Sequence, residues 1–129
     1  MAKQPAQVWF LCICSVLFLS SPGYAKEKIT FTPKEAVHYQ AKPESCETQV
    51  FQDSKPAQAF VDLGVINYHD ERHRSKAGSL KLDVVMPKIK ARACKAGADA
   101  LIGIRVTEVR RLEFAMFNVS ATLVRFAPN

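Results

Sequence analysis

The stretch Leu82–Val106, "LDVVMPKIKARACKAGADALIGIRV", decides the architecture. Val85, Ile89, Ala93 and Ala96 recur at helical spacing and form one apolar stripe, with Lys88, Lys90, Arg92 and Lys95 around it. Asp83 or Ser79 is placed to cap this helix, and Pro87 belongs near its first turn, because a proline further in would break it. Gly97 suits the left-handed residue that ends a helix. Ala91, Cys94 and Ala98 make a small-residue face that lets the helix sit close to a sheet. From Ala100 to Val109 the period changes to that of a strand, with Ile102, Ile104 and Val106 expected inward and Gly103, Arg105 and Thr107 outward.

Working outward, "FVDLGVINYH" (60–69) reads as a strand. Val61, Leu63, Val65 and Asn67 share one face of it, and Phe60, Asp62, Gly64, Ile66 and Tyr68 the other. "CETQVF" (46–51) alternates as a shorter strand, and the polar run "DERHRSKAG" (70–78) reads as a loop. Downstream, "RRLEFAM" (110–116) turns the chain into "FNVSATLVRF" (117–126), a last strand with Phe117, Val119, Ala121 and Leu123 on its apolar face. The order strand, strand, helix, strand, strand predicts an α+β fold: a small two-layer β-β-α-β-β domain, residues 46–129, with one helix packed on a four-stranded sheet. Residues 26–45 contain Pro33 and Pro43 and no sustained period. They read as an extended N-terminal arm, with room for one short strand at Ile29–Phe31.

Residues 1–25 have the layout of a cleaved signal peptide. Lys3 precedes a twelve-residue apolar run, Val8–Leu19, and "SSPGYA" ends at Ala25. The run is too short to span a bilayer as a helix, which takes about 20 residues. Cleavage there predicts a periplasmic or secreted protein with no stable membrane span. It removes Lys3 and no acidic residue, taking the net charge from +6 to +5. A basic exported chain points to an envelope protein or an anionic envelope component as partner, rather than nucleic acid. Of the four cysteines, Cys46 and Cys94 remain, and an even count in an oxidising compartment predicts a disulfide.

No catalytic constellation is visible. There is no G-x-S-x-G, and Cys94 falls near the helix C-terminus, where the dipole opposes a thiolate. The chain is read as a non-enzyme without a cofactor. Two surfaces merit attention. "HDERH" (69–73) is one residue from the zinc-protease pattern H-E-x-x-H, so His69 and His73 are the metal-binding alternative, with His38 of the arm as a third ligand. Two imidazoles four apart reach one metal on a helix, whereas on a strand they stand about 13 Å apart at roughly 3.3 Å per residue. Arg105, Arg110, Arg111 and Arg125, on the last two strands and their turn, are candidates for one partner-binding basic surface. Protection of an edge strand against aggregation explains them equally well.

"ACKAGADALIGIRV" (93–106), with "FVDLGVI" upstream and "VSATLVRF" at the end, resembles the YbjQ-like domains and the Rcs envelope stress-sensor lipoproteins of bacteria. The resemblance covers about 80 residues from Cys46 onward and rests on three pieces in one order. It implies a small α+β interaction or stress-sensing module without known catalytic residues, in which Cys46 and Cys94 match a strand-start and a helix cysteine that hold the domain together. The sensor branch is lipidated and carries four domain cysteines. Here two remain, and neither Cys12 nor Cys14 follows a small residue.

Overall fold

In Lys26–Pro33 the threonines, Ile29 and Phe31 favour extended backbone. In the computed structural model, which describes residues 26–128, this stretch is strand β1. Residues 1–25, where a signal peptide is expected, lie outside the described residues. The remaining strands are β2 (Gln49–Phe51), β3 (Phe60–His73), β4 (Ala100–Arg110) and β5 (Phe114–Phe126), with helix α1 at Leu82–Lys95 and a short 3₁₀ turn at Arg74–Ser79. The fold is the expected two-layer α+β domain, but the sheet has five strands and not four, in the order β1-β3-β5-β4-β2. The fifth is the first part of the arm, which pairs antiparallel with β3 from Lys26↔Glu71 to Pro33↔Gly64. A strand ending in proline is tolerated because β1 is an edge. The short β2 runs parallel to β4 at the other edge.

The helix covers one face of the sheet. Val85, Ile89 and Ala93 of α1 pack against Leu63, Ile66, Tyr68, Leu101, Phe117, Val119, Ala121 and Leu123, and Ala96 lies half-buried beside them. Neither Asp83 nor Ser79 caps the helix. Lys81 is the N-cap, without a side-chain bond, and Asp83 lies in the first turn, where its charge suits the dipole. Pro87 sits inside the helix rather than near its first turn. It is exposed, so the Asp83 carbonyl that loses its donor faces water.

Two bulges rearrange the faces read from simple alternation. In β3 the register shifts between Asp62 and Gly64, with Leu63 as the extra residue. Leu63 therefore shares the helix side with Ile66, Tyr68 and Asp70, although it has the opposite parity. Gly64 has φ +138°, and a Cβ there would lie 2.2 Å from the Thr32 carbonyl oxygen of β1. Its amide donates to Asp62 Oδ1 at 2.9 Å, which helps hold the bulge. A second shift, between Ile102 and Arg105 at Gly103, turns Leu101 into the core and leaves Ile102 on the far face beside Thr122. Ile104 packs against the core as expected, while Val106 returns to the helix side but stays 46% exposed.

Gly64→Ala adds a methyl where β1 crosses β3 and places a side chain in a conformation that L-residues avoid. It should cost roughly 2–4 kcal/mol, read as a lower urea midpoint at unchanged slope. A midpoint equal to the parent's would mean that β1 does not approach β3 as described.

Candidate functional site

After β1 the arm continues as a strap, residues 34–48, that crosses the C-terminal end of α1. Cys94 is fully buried there and joined to Cys46, with their Cα atoms 6.0 Å apart. The Lys42 amide donates to the Cys94 carbonyl at 2.8 Å. Gly97, at φ +80°, ends the helix, and a Cβ on it would stand 2.8 Å from the Gln40 carbonyl oxygen. Asp99 then ties two distant pieces together: its carboxylate takes the Lys42 ammonium of the strap and, at 2.8 Å, the Phe126 amide of β5. Burial alone would raise the Asp99 pKa. The Lys42 and Phe126 hydrogen bonds and the charges of Lys42 and Arg125 outweigh it and hold the carboxyl below its usual value. The G-A-D-A motif is thus a latch for the strap.

"HDERH" is neither loop nor helix. It is the end of β3, paired in register with β5 from His69↔Asn118 to His73↔Phe114. His69 Nδ1 donates to Asn118 Oδ1 at 2.5 Å, and His73 Nδ1 accepts from the Ser75 amide at 3.3 Å. Both histidines face away from the helix, while His38 lies on the helix side near Arg92 and Ala96. Among the described residues no three His, Cys, Asp or Glu side chains gather to hold a metal ion.

The residues between the histidines carry more of the structure. Asp70 is 0% exposed. Its carboxylate accepts from Tyr68 Oη at 2.9 Å, and from Arg72 through Nε at 3.1 Å and Nη2 at 3.0 Å. Tyr68 is itself buried, and burial first, then Asp70, raises its pKa beyond the ordinary phenol range. Strand parity brings residues 68, 70 and 72 to one face, but nothing in the sequence shows that this face stays covered after Tyr68.

The four candidate arginines do not form one surface. Arg105 pairs with Ser120 on the face away from the helix. Arg125, on the opposite face of the unbulged β5, stacks on the Tyr39 ring of the strap at 5.1 Å. Arg110 and Arg111 instead meet Arg74, whose amide bonds the Glu113 carbonyl at 2.8 Å. These three line one open surface with Glu113, Phe114 and Leu112, which is 92% exposed at the tip of the β4–β5 turn. Arg110 is paired with Glu108 at 2.8 Å. The "RRLEF" turn carried the signal for this tip; Arg74 joins it through the 3₁₀ turn after β3.

No protein-family model matches this chain. No curated protein matches it either. Among solved structures, the crystal structure of a Francisella virulence factor, FvfA, in its orthorhombic form, superposes with a TM-score of 0.51 at 14% identity. The match covers 74% of this chain and 97% of that one. The likeness is one of fold.

Arg72→Met strands the buried Asp70 charge and should cost about 3–5 kcal/mol. Tyr68→Phe removes one neutral donor and should cost about 1–3 kcal/mol. Urea unfolding of both variants checks the order, and a cheaper Arg72→Met would show that Asp70 is not held by this pair. Because the folded-state pKa of Asp99 is depressed, its contribution to stability is complete above the unfolded value near 3.8 and disappears as pH falls through the lower folded value. Asp99→Asn should therefore flatten the acid limb of a stability–pH curve. An unchanged limb would remove Asp99 from the latch.

Proposed function

We propose that the chain is an exported, non-enzymatic interaction domain of the bacterial envelope stress-sensor type, stapled by one disulfide. The observation that carries this reading is the Cys46–Cys94 bond at the seam between strap and helix. Such bonds persist in oxidising compartments and are rare where thiols stay reduced. The leader pattern of residues 1–25 supports the same destination, and the motif order around Ala93–Val106 supports the sensor type. The two internal carboxylates, Asp70 and Asp99, are engaged by Tyr68, Arg72, Lys42 and a backbone amide, which favours structural over catalytic roles. The partner-facing surface is the β4–β5 tip. Arg74, Arg110 and Arg111 with Leu112 suit an anionic envelope component or an acidic protein face. This reading is preferred over metal binding by His69 and His73, since each histidine is bound to its own neighbour on a strand.

Intact mass of the protein recovered from the periplasm, before and after alkylation in denaturant, tests the proposal. A mass starting at Lys26 and resisting alkylation until reduction supports it; a mass retaining Met1, or free alkylation, overturns it. Replacing both cysteines by alanine should lower stability by about 4 kcal/mol for a loop of this size, measured by urea unfolding under non-reducing conditions.

A further inference from the structure

A cleft of about 280 Å³ opens between the strap and the C-terminal half of α1. Leu63 and Phe31 of the sheet, Val37 of the strap and Ala96 of the helix end give it apolar walls. Its charged groups, Arg92 and Lys95, are both basic, and His38 of the strap lines it beside them. Lys95 is already matched by Glu44 at 2.8 Å. Arg92 is not: its guanidinium lies over the Phe31 ring at 5.8 Å, and among the described residues no carboxylate pairs with it.

We infer that this cleft binds a small singly charged amphiphile, a monocarboxylate bearing a short acyl chain. The planar guanidinium of Arg92 presents paired N–H donors that match a carboxylate, and its stack on Phe31 restricts the geometries open to it. One unpaired cation calls for one negative charge. A dianion would bring a second charge against apolar walls with no partner left to meet it. The apolar walls select a hydrocarbon tail, and at about 30 Å³ for each water-sized group the volume holds on the order of ten non-hydrogen atoms. The walls are held before a ligand arrives, because the strap is fixed by the disulfide, by Lys42 on Asp99 and by Tyr39 on Arg125. The inference goes beyond the partner surface at the β4–β5 tip and does not depend on it or on export.

The experiment is a titration of the disulfide-bonded protein with octanoate, followed by amide proton–nitrogen correlation spectra, with octanol as the uncharged control. Saturable shifts are expected at Val37, Tyr39 and Ala96, with octanol at least tenfold weaker. Arg92→Gln should weaken octanoate at least tenfold. Ala96→Leu, which fills the cleft and leaves the charge in place, should abolish the shifts while the spectrum stays dispersed. Equal binding of octanoate and octanol, parent-like binding by either variant, or shifts centred on the face away from the helix would each overturn the site.

Discussion

Cys94 is buried in the last turn of α1, and its bond to Cys46 holds the strap across that end of the helix. Around this bond three segments far apart in the chain converge. The strap supplies Lys42 and the Gln40 carbonyl, the helix end supplies Gly97 and Asp99, and β5 supplies the Phe126 amide. The strap buries little apolar surface of its own, so covalent and ionic ties do what a larger core would do elsewhere. The proposed ligand cleft depends on the same seam, because the strap is one of its walls.

A second constraint sits at the far end of β3. Fourteen residues in one strand carry the polar stretch after Tyr68 along the sheet, which obliges Asp70 to be buried. Tyr68 and Arg72, two residues away on either side, satisfy its carboxylate from the same face. A buried ion pair of this kind adds little net stability against an apolar alternative, and because both partners belong to β3 the register is set instead by which neighbours a slip would bury. Shifting β3 by one residue would bring His69 and Glu71 under the helix and carry Tyr68, Asp70 and Arg72 together to the open face.

Much of the architecture was legible in local pattern. The apolar stripe of α1, the helix-ending Gly97, the positions of β3, β4 and β5 and the pairing of Cys46 with Cys94 all follow from period, turn chemistry and residue count. Three features escape local pattern for one physical reason. "HDERH" has the composition of a loop because its polarity is balanced within the strand, Asp70 against Arg72, and composition does not reveal pairing. Lys26–Pro33 shows in sequence only a short extended piece, Ile29–Phe31, because an edge strand needs a partner more than it needs a period. Simple alternation puts Ile102 inward, and the bulge at Gly103 reverses that parity without changing the spelling around it.

The candidate sites divide along the same line. Fold class and the identity of the charged side chains can be read from local spelling, because helix and strand periods are local properties of the chain. Which charges stand together was decided by tertiary structure alone. Arg105 and Arg125 separate because adjacent faces of one sheet point in opposite directions, Arg74 reaches Arg110 and Arg111 because β3 and β5 are neighbours, and Arg92 meets the strap because a disulfide spanning 48 positions brings it there. Contacts between residues so distant depend on register and chain crossing, and neither is written in any short stretch.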